Sequence, residues 1–328
     1  ILTEKKIEVE GTPISREQFA KHTTRVAAVI EEMTAEGLAH PTHLKSKRRW
    51  HFIFVEEKCD PVILEVGMGG ITDATNLIRT TELAVLVPIS MDHQSFLGNT
   101  IAEIAEKKAG IIKPGCSVAT IGQEPEALKV IENVSHEAGT DLCAADISQA
   151  EVLEADFTGQ RFLYKGEEYT LSLAGSYQTE NAVLALEALR ILDERGYHTT
   201  TEQRREGLKA THWNGRLTII HRDPLFIVDG AHNPAAADML EDSVRKYFKD
   251  RRMFLSWVFS GTRIIHILSG NSALMQNRSL RSRHRITRGH SRRRNLPKRS
   301  VHATHMSTRR KISQKRSRNC LRWQGRTM

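Results

Sequence analysis

The stretch PVILEVGMGGITDATN, Pro61 to Asn76, constrains this chain more than any other. An apolar run, Val62 to Val66, is broken by one carboxylate, Glu65, and followed at once by Gly67, Gly69 and Gly70. Glycines let the backbone turn tightly and approach a ligand. A buried parallel strand delivers an acid to the carboxyl edge of a sheet in this way, and open α/β proteins keep their ligands at that edge. On its own the stretch reads equally well as a strand-edge Glu capping nearby amides, with glycines that serve only the turn.

The next apolar run shifts the balance. Leu83 to Ile89 is again strand-like, and it ends in Asp92 and His93 followed by Gly98. Two neighbouring strands would then aim Glu65 and His93 into one crevice. A lone His after a strand is more often structural, but a carboxylate paired with an imidazole suits a divalent ion that keeps positions open for water and phosphate oxygens.

The segments LEVGMGGITDATN, SMDHQSFLG, EKKAGIIKPG, GSYQTENA, WNGR and DGAHNP follow one another in this order. Together they resemble the folylpolyglutamate synthase and dihydrofolate synthase family of the Mur ligase superfamily, a far more specific signal than one glycine pattern. The resemblance runs from about Ile1 to about Met253. It implies an α/β fold: a mostly parallel, ATPase-like Mur ligase central domain over residues 1–212, and the beginning of a Rossmann-like C-terminal domain over 213–253. Residues 254–328 fall outside it and are expected to be a disordered basic tail.

The implied activity is ATP-dependent amide ligation in the cytoplasm, with ATP and Mg2+ as cofactors. Folate or dihydropteroate, L-glutamate and ATP are the small-molecule substrates. Glu65, His93 and Lys108 match the metal set, Lys108 as the lysine that becomes carbamylated. Gln178, Asn181, Arg216, Asp229 and His232 match the nucleotide contacts, and Lys108 and His232 the catalytic positions. Tyr177 stands where the family has a His, and it can still stack on a base or hydrogen-bond to it. Without the resemblance, Lys108 reads as a helix C-terminal cation and Asp229-Gly230 as a turn.

Charge is split along the chain. Residues 251–328 hold 21 Lys and Arg and no Asp or Glu, which leaves 27 basic and 39 acidic side chains in residues 1–250. The body is therefore acidic, and the net charge of +9 comes from the tail. Four scattered cysteines, Cys59, Cys116, Cys143 and Cys320, lack metal spacing and fit a reducing compartment. No apolar span reaches membrane length. A monomer that binds neither membrane nor nucleic acid is expected. The rival class treats the Arg-rich tail as a nucleic-acid arm, but it has no interleaved aromatics and no known module. A third option is a superfamily ligase acting on a cell-wall precursor.

Local signals place the motifs. Ser15 with Gln18 makes a capping box for a helix from about Ser15 to about Glu36, and Thr100 with Glu103 makes another ahead of Lys108. Residues 124–137 read as a surface helix, and Glu151 to Leu173 as hairpins turning at Thr158-Gly159 and Lys165-Gly166. An Ala- and Leu-rich helix begins at about Glu180, and amides at its start, Gln178 and Asn181, can pair with both edges of a purine. Phe226 to Val228 reads as a buried strand leading to Asp229, and a helix follows from Ala235 to about Phe248.

Three features point to a damaged reading. Ile1 is not an initiator Met and no GxxxxGK[ST] loop is present, so the true start and the phosphate loop are expected upstream. The basic run THLKSKRRWH, Thr42 to His51, stands where the family has an apolar helix; permissible codons for His43 to Phe52, read from the third base, restore an apolar segment. The same operation on Met253 to His266 yields the family's next strand and an Asp-Lys-Asp motif. We read both as frame slips that leave the chain an inactive fragment; genomic DNA encoding these residues without a neighbouring indel would refute this.

Overall fold

In the computed structural model, residues 7–40 and 50–249 are described, and all fall in one compact unit, Ile1–Leu280. The two suspected frame slips, apart from residues 50–52, and the tail lie outside the described residues. A two-residue ribbon, β1 (Glu8–Val9) with β2 (Thr12–Pro13), leads into α1 (Arg16–Ala35). The Ser15 side chain accepts from Gln18 N, and the Gln18 side chain accepts from Ser15 N, so the expected capping box closes. Helix α1 meets the short helix α2 (Trp50–Glu56) over a small core of Ile7, Ile14 and Ile53. Glu56 accepts from Lys21 at 2.6 Å and Arg25 at 3.0 Å across that contact.

The centre is a parallel sheet in the order β3–β4–β5, built from β3 (Leu83–Leu86), β4 (Ser117–Ile121) and β5 (Leu142–Ala145). Side chains alternate across a strand, and β4 shows the result. Val118 joins one core with Leu86, Ile104, Ala105 and Ile131, while Ala119 and Ile121 join a second with Phe162, Leu171, Val183 and Leu186. The first core lies under α4 (Ile101–Ala109) and α5 (Pro125–Glu137). The second is closed by α6 (Gln178–Glu194) and the antiparallel meander β6 (Ala150–Asp156), β7 (Gly159–Tyr164) and β8 (Glu167–Leu171). A sheet covered on both faces explains the near-continuous apolar character of β4; each large side chain so buried contributes about 1.5–3 kcal/mol.

Helix α7 (Thr201–Ala210) carries its own capping box, Thr200 with Gln203. Then β9 (Thr218–Arg222) and β10 (Leu225–Val228) form an antiparallel hairpin before α8 (Pro234–Phe248). The α8 end packs back on the body: Ser243 Oγ accepts from Ser176 N at 3.0 Å, and Phe248 stacks near Phe157.

Three expectations need correction. Val62 to Val66 is not a strand, and Ile63 is 91% exposed. A strand forms only against a neighbour, and among the described residues this run has none; β3 stands at the sheet edge beside it in sequence. The second run stops at Leu86 rather than Ile89, because Pro88 cannot donate to a ladder. There the Gln123 amide substitutes for a strand: it donates to Val87 O at 2.8 Å and Leu86 O at 3.3 Å and accepts from Ile89 N at 3.0 Å. Finally, β10 is a half-buried hairpin strand with Phe226 56% exposed, and it pairs with β9 alone among the described strands.

Candidate active site

The glycine loop is organised by Asp73. Its Oδ2 accepts from Met68 N at 3.1 Å and its Oδ1 from Thr75 N and Oγ1, both at 2.8 Å. The loop rests on the last turn of α4. Ile71 N donates to Lys107 O at 3.0 Å, and Asn76 Nδ2 to Gly110 O at 3.0 Å. A Cβ on Gly70 would stand 2.5 Å from Lys107 O and 2.6 Å from Lys108 O. Gly70 is thus required for backbone approaching backbone, not a ligand. Glu65, ahead of this loop, is exposed and makes no hydrogen bond or ion pair among the described residues.

Past β3, Asp92 is the hub. Its Oδ1 accepts from His93 N at 2.7 Å and helps hold His93 at φ 50, a conformation uncommon outside glycine, at the start of the four-residue helix α3 (Gln94–Leu97). Asp92 Oδ2 accepts from Asn233 Nδ2 at 2.9 Å and lies 3.8 Å from His93 Nε2 and 4.0 Å from His232 Nε2. Burial pushes the Asp92 carboxyl up, but the Asn233 amide, the His93 N–H and the two nearby rings outweigh it and hold it below its ordinary value. Lys108 belongs to the same cluster. Burial pushes its ammonium down, and the Asp92 charge offsets only part of this.

A second cluster sits at the start of α6. Gln178 is buried, and its Oε1 accepts from the exposed Asn181 Nδ2 at 3.0 Å, so this pair is already mutually engaged. Tyr177 lies close to Asp229 and Arg216: burial and the Asp229 charge push its hydroxyl up, while Arg216 pulls it down. Asp229 ties two turns together, Oδ2 accepting from Leu217 N at 2.9 Å and Oδ1 from Ala231 N at 2.7 Å. Gly230 N donates to Gly215 O at 2.7 Å, and a Cβ on Gly230 would stand 2.7 Å from Arg216 Nη1. His232 Nδ1 sits 2.8 Å from Gly230 O; a ring nitrogen against a carbonyl must be the donor, which leaves Nε2 facing Asp92.

The structure therefore gathers His93, Lys108 and His232 around Asp92, and Tyr177, Arg216 and Asp229 with Gln178 at the helix start. Among the described residues, no hydrogen bond or ion pair joins Glu65 to either group. Among the described residues, no set of three or more His, Cys, Asp or Glu side chains is arranged to hold a metal. The donors nonetheless suit magnesium chemically, because Glu65 is an exposed carboxylate with no hydrogen bond or ion pair among the described residues, and the His93 ring is 38% exposed. Sequence reasoning noted Asp92 and Asn233, each at a strand exit, but not that the two pair.

The Mur ligase middle domain family matches residues 15–189, more than half of the chain. The chain belongs to the Mur ligase middle domain family. Among relatives of this Mur ligase chain, the Bacillus subtilis dihydrofolate synthase/folylpolyglutamate synthase is 34% identical over 269 residues, covering 78% of the chain and 61% of the relative. The apo form of L. casei FPGS is similar in structure, with a TM-score of 0.67 and 28% identity over 74% of the chain and 61% of that protein. An FPGS-AMPPCP-folate complex matches with a TM-score of 0.67 and 28% identity, covering 75% and 62%. The chain thus spans about three fifths of the length of these relatives. Among the described residues, no helix is long and apolar enough to cross a membrane.

Proposed function

We propose that this protein is an ATP-dependent carbon–nitrogen ligase that joins L-glutamate to folate or dihydropteroate. The observation that carries the reading is the approach of the His93 and His232 rings to Asp92, from the strand exit and the loop before α8, with Lys108 at the end of α4 near enough to feel the Asp92 charge. The relatives include a folylpolyglutamate synthase complexed with folate and AMPPCP, a non-hydrolysable ATP analogue. In the reaction, the γ-phosphoryl group of ATP passes to the terminal carboxylate of the pterin substrate, giving ADP and an acyl phosphate. The amino group of glutamate then attacks the acyl carbon, the C–N bond forms and phosphate leaves.

Arg216, with its fork of donors, and His232 steady phosphate charge in this reading. Asp229 acts mainly by clasping the Arg216 and His232 turns, since both its oxygens already accept backbone N–H groups. Gln178 and Asn181 offer amides for the base, and Tyr177 stacks beside it. Glu65 and His93 would hold magnesium, with Lys108 joining as a carbamate; burial favours the neutral amine that carbamylation needs. When bound, such an ion neutralises phosphate charge. Residues 1–212 would form the ATP-binding domain and 213–253 the start of the ligase domain, hinged at Trp213–Arg216.

The test is phosphate release from ATP by the protein with both suspected frame slips repaired and the upstream phosphate loop restored. Release should require a pterin substrate and glutamate together, and should fall with Glu65→Ala and His93→Ala. Release that ignores glutamate would defeat the ligase reading, and unchanged turnover in Glu65→Ala would remove Glu65 from the metal set.

A further inference from the structure

We infer that Asp92 and Asn233 form a latch, and that Asp92 is a positioning residue which sets His232 against the strand-exit cluster. Asn233 has two tasks at once. Its Oδ1 accepts from Ala236 N at 2.8 Å, capping α8, while its Nδ2 donates to Asp92 Oδ2 at 2.9 Å. One amide thereby fixes the start of α8 and joins it to a loop 141 residues earlier in the chain. His232 is the residue next to that joint, and its ring is oriented by Gly230 O so that Nε2 faces the same Asp92 oxygen. Asp92 in turn is anchored by the His93 N–H. The cluster gains His232 only while the latch is shut.

Neither single signal in the sequence explains this use of both atoms. An N-cap needs only an acceptor, and Ser, Thr or Asp would serve α8 as well. The donor is what Asp92 requires. The hydrogen bond runs to an ionised, partly buried carboxylate, so its loss should shift the opening equilibrium by roughly tenfold or more.

The inference rests on the ligase reading for what the latch serves, but its test needs neither turnover nor nucleotide. Amide hydrogen exchange of residues 229–248 in the full chain is compared for wild type, Asn233→Ser, Asn233→Asp, Asp92→Asn and the exchanged pair Asp92→Asn with Asn233→Asp. Asn233→Ser keeps a cap and removes the donor; Asn233→Asp keeps an equivalent cap and sets two carboxylates together. The exchanged pair restores a donor and an acceptor with the cap intact. The expected result is exchange about tenfold faster in each single variant, with recovery towards wild type in the exchanged pair. Single variants that exchange like wild type overturn the latch. So does an exchanged pair no better protected than Asn233→Asp alone, a comparison that holds even if Asp92→Asn by itself fails to fold. Absence of ligase activity in the repaired wild-type protein, alongside the expected exchange pattern, would count against the proposed function and leave the latch standing.

Discussion

Replacing Glu187 by Gln should cost about 1–2 kcal/mol at neutral pH. Glu187 lies on α6, between the parallel sheet and the meander, and is only 4% exposed. Its Oε1 accepts from Lys165 Nζ at 2.7 Å and Tyr164 Oη at 3.0 Å, and its Oε2 from Arg190 Nε at 2.9 Å. A hydrogen bond to a charged group contributes about 1.5–3 kcal/mol against about 0.5–1.5 for a neutral one, so neutralising the carboxylate across two cationic bonds forfeits at most about 3 kcal/mol. Lys165 and Arg190 are 44% and 38% exposed, and water recovers part of that loss. Glu187→Ala should cost more, about 3 kcal/mol, because the Tyr164 hydroxyl is then left buried without its acceptor.

The pH dependence separates charge from shape. Burial pushes the Glu187 carboxyl up, but Lys165, Arg190 and Tyr164 outweigh it and hold it below its ordinary value. A depressed folded-state value means the stabilisation is complete above the unfolded carboxylate range and is lost as pH falls through the folded value. Gln cannot titrate. The gap between wild type and Glu187→Gln, measured by urea unfolding, should therefore be full at pH 7 and narrow in acid below about pH 4. Equal midpoints at pH 7, or a gap that persists unchanged in acid, would refute this account.

Further outcomes follow from the same coordinates. Gly70→Ala drives a Cβ against two carbonyl oxygens and should destabilise by about 1–3 kcal/mol, whereas Gly207→Ala, in α7 with nothing near the added atom, should stabilise by about 0.5–1 kcal/mol; thermal unfolding of both variants checks the signs. Gln123→Ala leaves Ile89 N without its acceptor, and amide exchange across residues 86–93 should accelerate while that of α7 is unchanged. Because burial disfavours the Lys108 ammonium, its amine fraction at a given pH exceeds that of a free lysine. Under labelled bicarbonate, carbon NMR should show a carbamate signal that strengthens as pH rises and is absent in Lys108→Ala.

Local chemistry was readable ahead of the structure, and distant pairing was not. The capping boxes at Ser15 and Thr100 and the turn at Lys165-Gly166 depend on neighbours three residues apart or fewer, and they formed where expected. Thr200 with Gln203 carries the same signature ahead of α7, a helix too polar to show an apolar stripe. Leu142–Ala145 was missed as a strand: it is four residues long, without alternation, and forms only because β4 lies alongside. Val62 to Val66 failed for the converse reason, an apolar run with no neighbour to pair with among the described residues. In the candidate site, His93 and Lys108 were marked by motif and lie where Asp92 couples them. Asn233, which completes that cluster, is separated by 141 residues, and no periodicity reports such a contact. Glu187 was hidden in the same way, as one acid in a helix otherwise legible as core.

The seating of the glycine loop on α4 has one last consequence. Carbonyl groups at the end of a helix need donors from elsewhere, and here Ile71 N and Asn76 Nδ2 supply them, to Lys107 O and Gly110 O. Any molecule large enough to lift that loop would strip those donors from the turn bearing Lys108. The glycine loop and the helix end that carries Lys108 therefore share their hydrogen bonds, and a shift of one falls on the other.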